Sequence, residues 1–336
     1  MPSSVTIALF FIVFLALCFD FINGFHDTAN SIATSVSTRV LSPRQAILMA
    51  AALNFLGAIV STNVAHTISS GIVEGTLPQF VIMAVIIAAI IWDLITWYLG
   101  IPTSSSHALI GALIGASITY FIAFNHVNWA GVLNKVVIPL VTSPLIGFAL
   151  GYLFMKILNI LLAKYSQRFV NKWFSKLQIV SAALMSFEHG RNDAQKSMGI
   201  ITMALISSSL LPANSHVPFW VMIICAVAMA LGTSIGGWKI IKTMGVNMIR
   251  LQPINGFAAE TAAAAVIEIA TLASAPVSTT HVISSAIMGV GASKRKSAVR
   301  WALAKNIVWA WVITIPASAV LGGVITLIFR GVISFF

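Results

Sequence analysis

The chain has 336 residues, of which 59% are hydrophobic and only 8% are charged, and its mean hydropathy is +0.98. No class of soluble globular protein matches this composition, which indicates a polytopic membrane protein. The formal net charge of +11 does not indicate nucleic-acid binding, because most of the Lys and Arg residues are confined to short connections between apolar runs.

These basic connections predict how the chain is oriented. They are residues 39–44, 156–176, 239–250 and 294–305. Cytoplasmic loops of membrane proteins collect Lys and Arg. We therefore expect a multi-pass protein of the cell membrane with its N-terminus outside and the 156–177 loop in the cytoplasm.

The first apolar run, residues 5–38, is too long for a simple span. At about 1.5 Å per residue it would extend roughly 50 Å, well beyond the ~30 Å hydrocarbon core of a bilayer. We predict a break at Asn23-Gly24, because glycine frees the backbone and a discontinuous helix exposes groups that bind solutes at mid-membrane. A return helix is then predicted from residue 43 to about residue 71.

The next elements are two apolar runs, residues 79–99 and 108–124, separated by the tip Pro102-Thr103-Ser104-Ser105-Ser106-His107. Proline followed by hydroxyl residues is typical of a helix end and a capped helix start. Two interpretations are open: two full spans joined by a cytoplasmic turn, or a re-entrant hairpin whose tip stops at mid-membrane. We favour the hairpin because its tip has no Lys or Arg.

The second half repeats the first. The stretch from Asn23 to Ser31 matches that from His189 to Ser197, and the tip from Pro102 to His107 matches that from Pro276 to His281. A span is predicted at residues 217–237, a helix at 254–274, and one strained or kinked span at 300–329. Two motifs that recur in one order indicate a duplication, and opposite starting sides make it an inverted repeat.

The predicted fold is therefore an all-α polytopic membrane protein, with two inverted repeats, broken transmembrane helices and paired re-entrant helical hairpins. Residues 1–155 form the first repeat, 156–177 a basic cytoplasmic linker, and 178–336 the second repeat.

Each repeated motif has a functional interpretation and a structural alternative. An intramembrane carboxylate such as Asp27 or Asp193 costs several kcal/mol unless it has a partner, and is by default functional. The alternative is a structural hydrogen bond. The hydroxyl tips favour an anion, because helix N-termini offer free amides and a positive dipole end; the alternative is plain N-capping.

Other function classes fit less well. An intramembrane hydrolase needs no inverted duplication, and no Gly-x-Ser-x-Gly nucleophile elbow is present in the sequence. A channel is weaker, because broken helices that meet at a central site are typical of alternating-access transporters.

Taken together, four motifs resemble those of the inorganic phosphate transporter (PiT) family, in its bacterial low-affinity Pit-type form. The matching stretches are Gly24 to Asn30, Gly190 to Lys196, Thr103 to His107 and Val277 to His281. The resemblance covers essentially the whole chain. It implies a transporter, not an enzyme, that imports inorganic phosphate across the cell membrane by alternating access and symport with H⁺ or Na⁺; a sulfate permease of the same family is the alternative.

Carried over by position, the resemblance assigns roles to individual residues. The phosphate contacts would be Ser104, Ser105, Ser106, Ser278, Thr279 and Thr280. The cation or proton coupling residues would be Asp27, Asn30, Asn192, Asp193 and Lys196. A bound Na⁺ would lie at Asp27 and Asn30, and no other metal or cofactor is expected. The implied partners are phosphate, free or as a metal-phosphate complex, the coupling cation and the lipid bilayer, with a homodimer as one assembly and no nucleic acid.

The chain departs from the family pattern at Lys196, where the Na⁺-coupled signature has a second Asn. Asp193 and Lys196 are three residues apart and share a helix face. A fixed ammonium there does the electrostatic work of a bound Na⁺ and repels a real one, by several kcal/mol at about 4 Å and an effective dielectric near 20. This favours H⁺ over Na⁺ as the coupling ion, with Asp27 as its carrier. Asn54 also stands where some animal members are expected to have an acid, whereas Glu260 is retained.

Overall fold

The computed structural model describes residues 4–212 and 215–334, and this part of the chain is built of helices. No β-strand occurs in these ranges; one isolated antiparallel bridge joins Val73 to Val127. Four of the described helices are long and apolar enough to cross a membrane, or up to six if each bent helix pair counts as one span.

Among the described residues, the first half contains seven α-helices. They are α1 (Ser4–Ser37), α2 (Pro43–Ala58), α3 (Asn63–Ser70), α4 (Gln79–Leu99), α5 (Ser105–Phe121), α6 (Trp129–Val132) and α7 (Ile138–Leu161). A π-helical turn, Leu133–Val137, joins α6 to α7.

The described part of the second half contains seven more. They are α8 (Gln167–Asp193), α9 (Gln195–Ser207), α10 (Phe219–Ile235), α11 (Trp238–Lys242), α12 (Pro253–Leu272), α13 (Thr279–Lys294) and α14 (Trp301–Ile333). The segments predicted at 217–237, 254–274 and 300–329 are α10, α12 and α14, and α14 continues unbroken past Pro316.

The two halves correspond element by element. Helix α1 matches α8 with α9, the bent pair α2 and α3 matches α10 and α11, and the hairpin α4 and α5 matches α12 and α13. The bends are alike, at 70° in the first half and 61° in the second. The packing of the two halves is also symmetric. Helix α5 packs on α14 as α13 packs on α7, and α1 packs on α10 as α2 packs on α8. The all-α fold with repeats, broken helices and paired hairpins is confirmed.

The predicted break at Asn23-Gly24 is wrong. Helix α1 is continuous from Ser4 to Ser37, and Gly24 serves close packing instead. A Cβ atom on Gly24 would lie 2.4 Å from the carbonyl oxygen of Met229 in α10. The bends lie elsewhere, at residues 59–62, where the predicted return helix bends, and between α10 and α11.

The basic segment 156–177 is mostly helical. Helix α7 continues to Leu161 and α8 begins at Gln167, where Ser166 caps it by accepting a hydrogen bond from the Phe169 amide at 3.3 Å. The division of the chain at 155 and 178 stays a prediction.

The buried apolar side chains form two clusters, one around each hairpin. Helix α1 takes part in both, with Ile12 and Phe19 in the first cluster and Ala29 and Ile32 in the second. Between them lies the polar segment 20–28, which is therefore held where the two apolar clusters meet.

The close approach at Gly24 gives a testable prediction. Gly24→Ala should force α1 and α10 apart and destabilise the protein by about 1–3 kcal/mol, the usual cost of overpacking. The thermal unfolding midpoint in detergent measures this. Gly331→Ala in α14 is the matched control, because nothing lies within 4 Å of a Cβ atom there. Equal midpoints for the two variants would contradict the packing role of Gly24.

Candidate functional site

The tips of the two hairpins meet inside the protein. Ser106 Oγ donates to the Val277 carbonyl oxygen at 3.3 Å, and the ring centroids of His107 and His281 lie 4.9 Å apart. All four residues are buried. Each hairpin thus turns back within the protein, which agrees with the re-entrant interpretation.

A serine caps the second helix of each hairpin. Ser104 Oγ accepts from the His107 amide at 3.2 Å, and Ser278 Oγ accepts from the His281 amide at 3.1 Å. The N-capping role considered from the sequence is therefore present at these two positions. The hydroxyls that follow in each first turn are free to face other elements.

Those hydroxyls reach the carboxylate of Asp27 on α1. Ser105 Oγ lies 3.2 Å from Asp27 Oδ2, and Thr280 Oγ1 lies 3.3 Å from Asp27 Oδ1. Asp27 thus touches both hairpins. Asp27 also contacts an imidazole, because His26 Nδ1 lies 2.7 Å from Asp27 Oδ1.

Asp193 at the end of α8 has a related environment. Thr279 Oγ1 donates to Asp193 Oδ2 at 3.2 Å, and His189 Nε2 lies 3.2 Å from the same oxygen. The other oxygen forms an ion pair with Lys196 Nζ at 3.1 Å. Lys196 therefore lies beside Asp193, as its spacing predicted.

The two repeated aspartates come together. Ligand atoms of Asp27, His189 and Asp193 all lie within 4.8 Å of one another. Two carboxylates this close repel each other unless positive charge lies between or beside them. Lys196 supplies one such charge, and it is almost fully buried, with 1% of its surface exposed.

The last residue of each motif binds the hairpin of the opposite half. Asn30 Nδ2 donates to Thr279 Oγ1 at 3.1 Å and to Thr280 Oγ1 at 2.9 Å. Lys196 Nζ donates to Ser105 Oγ at 3.1 Å. Asn30 and Lys196 thus occupy equivalent positions, one as a neutral amide and the other as a cation.

The Asn192 side chain contacts a different part of the protein from the other predicted coupling residues. Its Nδ2 donates to Thr271 Oγ1 on α12 at 2.9 Å. In the first half His26 stands at the equivalent position, and its Nε2 lies 3.1 Å from Thr96 Oγ1 on α4. The described contacts therefore tie Asn192 to the first helix of a hairpin and not to the two carboxylates.

Gln195 links this site to the bent helix pair of the first half. Its Oε1 accepts from the Val64 and Ala65 amides, at 2.6 and 3.1 Å, at the start of α3. Free amides at a helix start need acceptors, so a side chain of the second motif holds α3 in place. The bend between α2 and α3 is thereby attached to the site.

Three side chains of the site were not predicted. His26 and His189 contact the two carboxylates, and Asn23 Oδ1 accepts from Ser105 Oγ at 2.7 Å. All three belong to the repeated motifs. A polar residue within a turn of a buried carboxylate was a signal that could have identified them.

Asn54 and Glu260, the two positions compared above with animal members of the family, have different surroundings. Asn54 Nδ2 donates to Thr233 Oγ1 at 2.9 Å, and its Oδ1 lies 3.2 Å from His189 Nδ1. Glu260 accepts short hydrogen bonds from Thr34 on α1 and Ser181 on α8. Asn54 thus supports the imidazole of the site, whereas Glu260 connects helices.

Comparisons with known proteins match this arrangement to a family. The model of the Phosphate transporter family, PHO4, matches residues 23–170 and 162–322. A relative from Bacillus subtilis (strain 168), described as a probable low-affinity inorganic phosphate transporter, is 53% identical over 316 residues, which cover 93% of this chain and 94% of the relative.

The chain belongs to the phosphate transporter family. Phosphate is the transported substrate of this family of transporters, and this member is a multi-pass membrane protein. A relative from Rhizobium meliloti (strain 1021), with the same description, is 49% identical over 312 residues, 92% of this chain and 93% of the relative.

The fold is also similar to a solved structure described as the sodium-dependent phosphate transporter. The TM-score is 0.84 at 26% sequence identity, covering 96% of this chain and 99% of that chain. The sulfate alternative finds no support in these relatives.

Proposed function

We propose that this family member imports inorganic phosphate across the cell membrane by H⁺ symport with alternating access. The observation that carries the proposal is the convergence of two helix N-termini, at Ser105 and Thr279, on the cluster of Asp27, Asp193 and Lys196. Phosphate would be held by hydroxyls and first-turn amides of α5 and α13, where the positive dipole ends favour an anion.

The charges at this cluster support coupling to a cation. Asp27 and Asp193 carry two negative charges and Lys196 one positive charge, so an excess negative charge remains when the neighbouring histidines are neutral. A phosphate anion is repelled until that charge is neutralised. A proton taken up at Asp27, beside His26, would provide this and make anion binding depend on proton binding.

Na⁺ fits the cluster less well than a proton. Asn30 Oδ1 is buried without a hydrogen-bond partner among the described residues, and could serve as one ligand of a cation at Asp27. Both oxygens of Asp27, however, already face hydroxyl or imidazole groups. Lys196 occupies the equivalent place in the second half. We therefore keep a Na⁺ site at Asp27 and Asn30 as the second candidate.

Burial of the whole cluster supports alternating access. Ser105, Thr279, Thr280 and the two aspartates each expose 2% or less of their surface. Phosphate can reach such a site only when the surrounding helices move, and the two bent pairs are natural places for that movement. The outside location of the N-terminus, a metal-phosphate complex as the carried species and a homodimer stay predictions.

The choice of anion can be tested by competition. Phosphate and sulfate both suit hydroxyls and amides, but only phosphate keeps a proton near neutral pH that it can share with a carboxylate. We expect a tenfold excess of unlabelled phosphate to abolish uptake of labelled phosphate into proteoliposomes, and the same excess of sulfate to reduce it by less than about twofold. Complete inhibition by sulfate, with little effect of phosphate on sulfate uptake, would contradict the assignment.

A further inference from the structure

Asp20 lies on α1 outside the site described above, and none of its surface is exposed. Within the described ranges, neither of its carboxylate oxygens accepts a hydrogen bond of normal geometry. The nearest polar groups are the Ser197 hydroxyl on α9 and the Cys225 thiol on α10. Ser197 Oγ is also buried without a partner.

Apolar residues next to Asp20 and Ser197 in the sequence, and one turn from Cys225, are also buried. Phe19 on α1, Met198 on α9 and Met229 on α10 belong to the buried cluster around the first hairpin. An ionised carboxylate without a partner in such a medium costs many kcal/mol, and the group takes up a proton instead. Burial and geometry therefore favour a neutral acid at Asp20.

A metal cation suits this position poorly. Hard cations bind several oxygen ligands, and the two side chains that interact directly with Asp20 offer one hydroxyl and one thiol. The charged groups that face Asp20 are Lys196 on α9 and Asp193 at the end of α8. The positive charge of Lys196 and the negative charge of Asp193 have opposite effects on the Asp20 carboxyl group. Asp93 on α4 faces His26 and Asp27 instead.

The position of Asp20 connects it to the anion site. Asp20, Asn23 and Asp27 are spaced three and four residues apart, and so share one face of α1. Asn23 holds Ser105 at the first hairpin tip. Across from α1, Ser197 directly follows Lys196 in α9. The segments of α1 and α9 next to Asp20 therefore both continue into the cluster of Asp27 and Asp193.

We propose that Asp20 is a second proton site of the transporter, which holds a proton while α1, α9 and α10 are closed around it and releases it when they part. An aspartic acid exposed to water at neutral pH is ionised. Movement of α9 or α10 away from α1 would expose Asp20 and discharge the proton. The inference rests on the proposed function, because it assigns a further proton to the same transport cycle.

The test measures how strongly a pH gradient drives phosphate accumulation. In proteoliposomes with the membrane potential clamped at zero and one unit of pH difference, each co-transported proton contributes a factor of ten to the accumulation ratio. We expect Asp20→Asn to lower the ratio about tenfold, while exchange of labelled phosphate at equal pH stays within about twofold. Asp20→Glu should keep the ratio. Glu74→Gln, which changes an exposed acid, is the control and should also keep it.

The outcomes separate the two proposals. If the unmodified protein shows no accumulation driven by the pH gradient, the proposed function is wrong. If it accumulates phosphate and Asp20→Asn reaches the same ratio, the proton site at Asp20 is wrong.

A second measurement needs no variant. Dicyclohexylcarbodiimide reacts with protonated carboxyl groups in apolar surroundings, so peptide mapping of the unmodified protein should find Asp20 modified at neutral pH. Reaction at other buried acids without reaction at Asp20 would overturn the proposal.

Discussion

Phosphate uptake by Asp27→Asn should fall at least about 100-fold. Asp27 is the carboxylate that touches both hairpins and an imidazole, through Ser105, Thr280 and His26. Asn is nearly isosteric but neutral, so the variant loses the group that we propose takes the coupling proton, without opening a cavity. A 100-fold loss corresponds to about 2.7 kcal/mol, within the range of a lost charge-assisted interaction.

The measurement is the initial rate of labelled phosphate uptake per reconstituted protein. Glu74→Gln is a matched acid-to-amide control at an exposed position and should leave the rate unchanged. The unfolding midpoint of Asp27→Asn should stay close to that of the unmodified protein. A folded Asp27→Asn protein with more than half of the normal rate would return Asp27 to a structural hydrogen-bond role.

Asp193→Asn should also lose transport, but with a different effect on stability. It leaves the buried Lys196 without its ion-pair partner, and breaking a buried pair by removing one member costs about 3–5 kcal/mol. We therefore expect a lowered unfolding midpoint for Asp193→Asn and not for Asp27→Asn, which thermal unfolding in detergent would show directly.

Lys196→Asn should convert a transporter indifferent to Na⁺ into one that requires it. Lys196 Nζ lies 3.1 Å from Asp193 Oδ1 and 3.1 Å from Ser105 Oγ, so its ammonium fills the place where a cation would balance Asp193. Replacement by Asn removes this charge and supplies an amide oxygen, as Asn30 does in the first half. We expect uptake without Na⁺ to fall at least about tenfold and to recover as Na⁺ is added.

The deciding measurement is initial uptake against external Na⁺ at fixed pH, with K⁺ as the replacing ion. The unmodified protein should change by less than about twofold across the series. Lys196→Met removes the charge without adding an oxygen, and should be slow at every Na⁺ concentration. A steep, saturating Na⁺ requirement in the unmodified protein would show that the ammonium does not replace a bound cation.

The sequence alone was sufficient to predict features whose energetic cost arises from residues close together in the chain. A carboxylate in an apolar run is expensive wherever the run lies, so Asp27 and Asp193 could be selected without coordinates. The repeat followed from two motifs in one order, and the ion pair of Asp193 with Lys196 followed from spacing on a helix. Each of these depends on residues close together in the chain.

Tertiary structure was needed wherever one residue type serves two purposes. Glycine permits both a helix break and close helix packing. At Gly24 the Met229 carbonyl oxygen lies so close that there is no room for a Cβ atom, so the glycine serves packing. The hydroxyl tips suited both capping and ligand binding, and the fold divides these roles between Ser104, which caps, and Ser105, which faces Asp27.

Contacts between the halves were also beyond the sequence. Asn30 meets Thr280 and Lys196 meets Ser105 across separations of 250 and 91 residues, and no local pattern encodes which of two similar hairpins each motif will touch. The sequence determined that the membrane must hold paired charges and hydroxyls, because burying them is costly. Only the packing of one repeat against the other decided which of them are partners, because that depends on where inverted helices cross.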